Sequence, residues 1–207
     1  MLRLYYARGT IALASHIALE EAGAAYEAQL IDFANAQQRT PDYLSINPKG
    51  RVPALVTPRG ILTETPAILA YIAQAYPGAG LAPLSDVFAL AEMQAFNAYI
   101  CSTLHVAHAH GPRGTRWADD PAALAELKRK VPEVMTDGFV MVETEMLRGP
   151  WVMGETYSVA DAYLFTVARW IEADNVDISR IPRVLEHRER MMQRPAVARA
   201  LAAQNAA

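Results

Sequence analysis

A short stretch rich in proline, glycine and alanine divides this chain into two unlike parts. Residues 77–84 read Pro-Gly-Ala-Gly-Leu-Ala-Pro-Leu, a composition typical of a linker because proline and glycine interrupt helices and strands. Short apolar runs of strand length lie before it, and after it the apolar residues recur at helical spacing. We therefore predict an N-terminal domain over residues 1–78, a linker over residues 79–84 and an all-helical domain over residues 85–207.

The N-terminal part is predicted to have the element order βαβ, loop, ββα. The predicted strands are residues 2–6, 26–32, 52–57 and 61–64, and the predicted helices are residues 12–22 and 65–76, with a loop at residues 41–48. Pro58-Arg59-Gly60 supplies the turn residues of a hairpin between the last two strands. Thr65 and Pro66 suit the N-cap and the first position of a helix. This order predicts an α/β fold with a mixed four-stranded sheet.

The part after the linker is predicted to contain helices alone. The predicted helices are residues 85–107, 120–147, a helix that follows Ser158, residues 181–194 and residues 195–203. Pro132 is expected to bend the second of them, because proline removes a backbone donor. Ser158 and Asp161 have the spacing of a capping box, in which the acid accepts from the amide of the cap residue. Their predicted role is structural.

Composition excludes several kinds of partner and site. With 52% hydrophobic residues, the 207-residue chain can bury a sizeable core. A formal net charge of -3 gives no positive potential for a phosphate backbone, so nucleic acid is not an expected partner. Cys101 is the only cysteine, which excludes an intramolecular disulfide, a Cys-x-x-Cys pair and a cysteine-rich zinc site. The expected partner is a small molecule or another protein.

The sequence also favours a cytoplasmic protein that holds no metal. Residues 1–8 lack the pattern of a signal peptide, and no apolar run reaches membrane-spanning length, so no membrane is expected as a partner. A single cysteine suits a reducing compartment. His105, His108 and His110 suggest a metal site, but only the first two share a helical face. Since no nearby carboxylate or cysteine completes a ligand set, we expect none.

Two motifs in the N-terminal part carry the most information about function. Residues 47–55 read Asn-Pro-Lys-Gly-Arg-Val-Pro-Ala-Leu, and residues 63–68 read Thr-Glu-Thr-Pro-Ala-Ile. In type, spacing and order they resemble the glutathione transferase superfamily, and the two-domain layout resembles that family over the whole chain. The resemblance implies a thioredoxin-like N-terminal domain that binds glutathione, and a helical domain that supplies most of the pocket for the second substrate.

The first motif suits the docking of an extended peptide. If the Val52-Pro53 bond is cis, as the family implies, Val52 turns its N–H and C=O outward at the start of a strand. Glutathione is an extended peptide, and its cysteinyl part can then pair with the Val52 backbone as an added strand does. The alternative is that Val52 and Pro53 form an ordinary strand start.

The second motif suits the charged ends of glutathione. Thr65 at a helix N-terminus offers hydrogen-bond donors and the helix dipole to the γ-glutamyl carboxylate. Glu64 can bind the ammonium of the ligand, and Lys49 or Arg51 its glycyl carboxylate. The alternative is that Glu64 and Thr65 only cap the helix. The two motifs together, in this order, favour the binding site.

The glutathione thiol needs a donor that favours its thiolate, because a free thiol has a pKa of ~8.5. That donor is expected at the end of the first strand. Residues 4–17 are similar to the bacterial beta-class transferases, but the position of their cysteine matches Ile11, which excludes a cysteine mixed-disulfide mechanism. The remaining candidates are Thr10 or its backbone amide, then Tyr5, then Tyr6. The alternatives are a helix cap for Thr10 and strand packing for the tyrosines.

The helix after the linker is expected to supply second-substrate residues. Tyr99 and His105 share a helical face, and His105 matches a beta-class position that faces the sulfur of glutathione. We predict both as pocket residues, with packing of a satisfied imidazole as the alternative for His105. Residues 111–117 form a basic, glycine-rich segment, which indicates a solvated interhelical loop that can close over an anionic substrate.

These observations predict a glutathione S-transferase that presents the thiolate to a small hydrophobic electrophile, with glutathione as co-substrate. The resemblance further implies a homodimer and a role in detoxification. Two alternatives remain open: a non-catalytic protein of the same fold that binds a ligand or partner, and a glutathione-dependent peroxidase or isomerase.

Overall fold

The computed structural model describes residues 1–206, with side chains described through Gln204. The first part of the chain forms a sheet of four strands covered by helices. Its elements are β1 (Leu2–Tyr6), α1 (Ala12–Glu21), β2 (Tyr26–Leu30), α2 (Pro41–Ile46), β3 (Ala54–Thr57), β4 (Gly60–Thr63) and α3 (Thr65–Ala75). The strand order is β2-β1-β3-β4; β1 and β2 are parallel and the other two pairs are antiparallel. The predicted mixed sheet of a thioredoxin-like domain is confirmed.

The core of this part lies where the sheet meets α1 and α3. Leu4 of β1 pairs with Leu55 of β3, and both side chains are fully buried. Every residue of α1 from Ala12 to Leu19 is buried, because α3 packs on this helix from one direction and the helical part of the chain from another. Burial of each large aliphatic side chain contributes about 1.5–3 kcal/mol. The apolar residues of α1 therefore hold the two parts together.

Two local predictions about this part were wrong. Residues 41–48 were expected to be a loop, but α2 forms there because Thr40 caps it, accepting from the Tyr43 amide at 3.4 Å, and Pro41 takes the first position. The N-cap of α3 is Glu64, one residue before the predicted Thr65. Thr65 is therefore the first residue of the helix.

The second part contains six α-helices in the described residues. They are α4 (Val87–Tyr99), α5 (His105–His110), α6 (Pro121–Met141), α7 (Val159–Ala168), α8 (Pro182–Met192) and α9 (Pro195–Ala206). A π-helical segment separates α4 from α5, and another follows α6, where continuous helices were predicted. Asp86, not Ser85, caps α4, accepting from the amides of Phe88 and Ala89 at 3.0 Å. None of the described helices is long and apolar enough to cross a membrane.

Helix α7 is the buried centre of the second part. All of its residues are buried, and the predicted capping box of Ser158 and Asp161 is confirmed. The Asp161 carboxylate also accepts from the Val152 amide at 2.7 Å and lies 3.0 Å from His187 Nε2. The Val159 amide donates to the Leu81 carbonyl at 2.9 Å, so this end of α7 is fixed to the predicted linker. The limits drawn for that linker stay a prediction.

Candidate active site

A cleft between the sheet and the helical part contains two adjoining chambers. The inner chamber, about 690 Å³ with its open mouth, has a size at which ligand sites are found. Its lining includes Ile11, Val52, Glu64, Thr65, Cys101 and Tyr163. The lining of the second, which we call the arginine chamber, includes Thr10, Arg39, Arg51, Arg113, Arg116 and Trp170. Val52 and His105 line both, so the chambers form one continuous site.

The backbone of Val52 is exposed to this cleft for pairing. The Val52-Pro53 bond is cis. The preceding carbonyl, that of Arg51, accepts from the Tyr43 hydroxyl and from Asn47 Nδ2, each at 2.7 Å. No hydrogen bond from within residues 1–206 reaches the N–H or C=O of Val52 itself. An extended peptide can therefore pair with this residue as an additional strand.

The start of α3 forms a second border of the inner chamber. Glu64 has φ 71° and ψ 121°, a conformation that is costly for a residue with a side chain and is often found at functional sites. The amides of Thr65 and Ala67 donate no hydrogen bond to any described residue. These free amides and the helix dipole together form a site for a carboxylate.

The charged residues predicted to bind glutathione lie at the same edge of the cleft. Lys49 Nζ is 2.5 Å from Glu64 Oε1 and donates to Thr63 Oγ1 at 2.7 Å. Lys49 and Glu64 thus form an ion pair with each other. Arg51 forms no ion pair within the described part of the chain and lines both chambers, which makes it the freer of the two predicted cations.

Thr10 lies in the cleft, but its hydroxyl is already hydrogen-bonded. Its Oγ1 donates to the Ala7 carbonyl at 2.7 Å and accepts from the Ala12 amide at 3.4 Å. The amides of Thr10 and Ile11 have no acceptor among the described residues. At the start of α1, the available donors are therefore backbone amides rather than the threonine hydroxyl.

The two tyrosines proposed as catalytic alternatives are not part of the cleft lining. Tyr5 packs edge-on against Tyr43, with 5.7 Å between ring centroids. The Tyr6 hydroxyl donates to the Ala203 carbonyl of α9 at 3.4 Å. The two side chains therefore contact α2 and α9 rather than the region around Val52.

Of the two residues predicted for the second substrate, His105 lines the cleft and Tyr99 does not. The Tyr99 hydroxyl donates to the Gly138 carbonyl of α6 at 3.2 Å, so its polar end contacts a neighbouring helix. His105 lines both chambers and packs against Trp170 with 5.4 Å between ring centroids. Burial lowers the pKa of His105 to about 4, and the nearby charge of Arg113 adds to this effect. His105 is therefore neutral at physiological pH.

The lowered pKa of His105 predicts a specific loss of stability in acid. A histidine whose folded pKa is about 4, against ~6.5 when unfolded, contributes stability that is present above pH ~6.5 and is lost as the pH falls towards 4. Between pH 7 and 4.5, the free energy of unfolding should fall by ~1–3 kcal/mol more in the wild type than in His105→Gln. Urea unfolding at both pH values checks this, and equal losses would contradict it.

An additional side-chain network fixes the loop after β1. The Trp170 indole Nε1 donates to the Gly9 carbonyl at 3.2 Å, and its ring stacks on His108 with 4.0 Å between centroids. His108 Nδ1 lies 2.8 Å from Asp174. His108 thus pairs with a carboxylate instead of converging with His105, and residues 1–206 contain no group of three potential metal ligands. The expectation of a metal-free site stays a prediction.

Sequence reasoning missed Tyr163 as a cleft residue. It is fully buried on α7 and lines the inner chamber near Thr65 and Cys101. Its hydroxyl lacks a hydrogen bond of good geometry, and burial raises its pKa above the usual range, so it stays protonated. The sequence shows a tyrosine two residues after Asp161, but it does not show that its side chain points into the cleft.

Comparisons with known proteins agree with this architecture. Residues 1–74 match the family model "Glutathione S-transferase, N-terminal domain", and residues 106–195 match "Glutathione S-transferase, C-terminal domain". Glutathione S-transferase GstA of Escherichia coli O157:H7 is 33% identical over 206 residues, which cover 98% of each chain.

Solved structures show the same similarity in three dimensions. A glutathione transferase homologue from Sulfitobacter, solved with bound glutathione, is 46% identical with a TM-score of 0.94, over 98% of this chain and 97% of that one. A sphingomonad glutathione S-transferase complexed with glutathione is 33% identical with a TM-score of 0.86, over 99% of this chain and 100% of the other. With similarity at this level along its whole length, the chain belongs to the glutathione S-transferase family.

Proposed function

We propose that this enzyme is a glutathione S-transferase that binds glutathione in the inner chamber and presents its thiolate to an electrophile. The observation that carries the proposal is the unpaired Val52 backbone, placed between two helix starts with free amides. A peptide paired with Val52 has the start of α3 on one side and the start of α1 on the other. These groups match the chemistry of a tripeptide that carries two carboxylates and a thiol.

The charged ends of glutathione would use residues that the sequence predicted. The γ-glutamyl carboxylate binds the free amides of Thr65 and Ala67, and Pro66 has no amide to offer. The ligand's ammonium competes with Lys49 for Glu64, because the two side chains form an ion pair in the free protein. Arg51, which has no such partner, takes the glycyl carboxylate.

The thiolate is stabilised in this proposal by the start of α1. The Thr10 hydroxyl donates to Ala7, so the amides of Thr10 and Ile11 are the available donors, supported by the dipole of α1. Tyr5 and Tyr6 contribute through packing instead. The rate gain comes from holding the thiolate and the electrophile together and from stabilising the thiolate charge.

The remaining parts of the proposal concern the second substrate, the oligomeric state and the cellular location. Trp117 and Val106 give the inner chamber an apolar side for a small electrophile. A homodimer is supported by Val87 and Phe88, apolar residues at the first turn of α4 that are 83% and 74% exposed and that a second copy can cover. A cytoplasmic location is supported by the lone Cys101, which suits a reducing compartment. A role in detoxification follows from the proposed reaction, which consumes electrophiles.

Calorimetric titration of glutathione, with thiolate absorbance followed on the same samples, tests this function. The wild type should bind glutathione and lower the pKa of its thiol by ~1 unit or more. Thr10→Val removes the hydroxyl but keeps the backbone amide, so most of this pKa shift should remain.

Three results would change the proposal. Loss of the whole shift in Thr10→Val would assign the thiolate to the threonine hydroxyl instead of the amides. Absence of glutathione binding in the wild type would favour the non-catalytic alternative. Turnover with a hydroperoxide but with no alkylating electrophile would favour the peroxidase alternative.

A further inference from the structure

Four arginines line the arginine chamber without an acidic partner. They are Arg39, Arg51, Arg113 and Arg116. No aspartate or glutamate contributes to the lining of this chamber. Within the part of the chain that the structure describes, the ion pairs and side-chain hydrogen bonds involve other arginines, such as Arg148 with Glu92. The chamber therefore concentrates positive charge that the described residues do not neutralise.

The arginine charges lie close enough to disfavour one another. Burial lowers the pKa of Arg113, and repulsion from Arg51 lowers it further. The pKa of Arg116 is lowered by burial and then by Arg51, Arg113 and Arg39. Like charges that are held together in a partly dry cleft destabilise the free protein. A bound anion removes this repulsion, so the cluster favours an anionic ligand.

Glutathione alone does not account for all four cations. Arg39 packs over Gly50, so that a Cβ added to that glycine would lie 2.9 Å from the guanidinium Nη1, and it therefore belongs with Arg51 to the sheet side of the chamber. The single glycyl carboxylate of glutathione can pair with Arg39 and Arg51. Arg113 and Arg116 come from the loop between α5 and α6, on the helical side.

The residues around Arg113 and Arg116 indicate more closely what kind of ligand would bind there. Arg116 also lines the inner chamber, next to Trp117, which is 47% exposed, and to the apolar side chains of Val106 and Ala109. A flat apolar body can pack on these residues while its acidic group reaches the guanidiniums. His105, which lines both chambers, is neutral, so the positive charge here comes from the arginines.

We propose that Arg113 and Arg116 bind an acidic group of the second substrate, so that the electrophile is an aromatic or similarly flat compound bearing a carboxylate. This proposal rests on the proposed transferase function and specifies its substrate class. With the acid held at the arginines, the electrophilic carbon of such a compound can reach the thiolate at the start of α1. For an aryl chloride, the thiolate forms the C–S bond and chloride leaves with the electrons of the C–Cl bond, while solvent takes the thiol proton.

A matched pair of electrophiles tests the proposal. The kcat/KM values of a chlorodinitrobenzoate and of its methyl ester are measured for the wild type, for the double variant Arg113→Gln with Arg116→Gln, and for Arg129→Gln. Arg129 is the control, an exposed α6 residue paired with Glu126. The ratio of acid to ester should fall roughly 10- to 100-fold in the double variant, because charge-assisted hydrogen bonds to the acid are lost, and should stay constant in the control.

A binding measurement separates this proposal from the transferase function. Tryptophan fluorescence, in the presence of glutathione, gives the affinity for an unreactive dinitrobenzoate and for its methyl ester. If no electrophile turns over but the double variant loses affinity for the acid alone, the transferase function fails and the acid site stands. An acid-to-ester preference that is equal in wild type and double variant would overturn the proposal. So would a loss of glutathione affinity, or of a second bound glutathione, as the main effect of the double substitution.

Discussion

Replacing Asp161 with alanine is expected to lower the free energy of unfolding by ~3–5 kcal/mol, because partners inside the core lose their acceptor. The fully buried carboxylate accepts from the amides of Val152 and Ser158 at 2.7 and 2.8 Å and contacts His187, which is also fully buried. Alanine leaves these donors without partners and without access to water. Urea denaturation at neutral pH measures the change.

The control for this prediction is Asp137→Ala. Asp137 lies on the surface of α6, where its carboxylate is 3.3 Å from Arg180 and 65% exposed. Such pairs contribute little, so the control should change stability by no more than ~1 kcal/mol. If Asp161→Ala were as mild as the control, the buried carboxylate would not be an essential part of the α7 start.

Replacing Glu64 with alanine is expected to weaken glutathione binding roughly 10- to 100-fold, because the ligand's ammonium loses its acidic partner. The substitution also releases Lys49, whose positive charge then stays at the edge where the ammonium must bind. Calorimetric titration with glutathione measures the dissociation constant. The effect should shrink for a glutathione analogue that lacks the amino group.

Glu133→Ala is the matched control for Glu64→Ala. Glu133 is an exposed α6 residue whose carboxylate pairs with Lys130, outside the cleft lining. It should leave glutathione affinity unchanged. Equal affinities of the Glu64 variant and the wild type would remove Glu64 from the proposed site and leave the helix-start amides as the main contacts.

Most of the sheet could be predicted because its signals are local. Pro58-Arg59-Gly60 marks the hairpin between β3 and β4, which the structure forms between Thr57 and Gly60. Helix α2 was missed because it is only six residues long and begins at Pro41, in a stretch whose prolines suggested a loop. The π-helical segment at Ile100–Leu104 changes the hydrogen-bond pattern without a break in the apolar periodicity, so the sequence predicted one continuous helix.

The residues of the candidate site likewise divide into those predicted from local sequence signals and those revealed only by the packing of the helices. Val52, Glu64 and Thr65 were predictable because the contacts proposed for them depend on backbone direction within short motifs. Tyr163 was missed because the packing of α7 against α1, which the sequence does not show, decides which residues of α7 face the cleft. The basic segment at residues 111–117 was predicted to be a solvated loop that can close over an anionic substrate, and the structure adds that its arginines line the same chamber as Arg51.

The burial of α1 bears on whether the two domains can exist apart. A helix whose residues are buried from Ala12 to Leu19 has no side left for water. If the chain were cut at residues 79–84, the N-terminal piece would expose this helix and the other piece would expose the face of α7 that covers it. At this boundary the chain changes from a sheet with helices to helices alone, but it cannot be cut there without exposing buried apolar surface. We therefore expect the two halves to unfold as one cooperative unit and neither to remain soluble by itself.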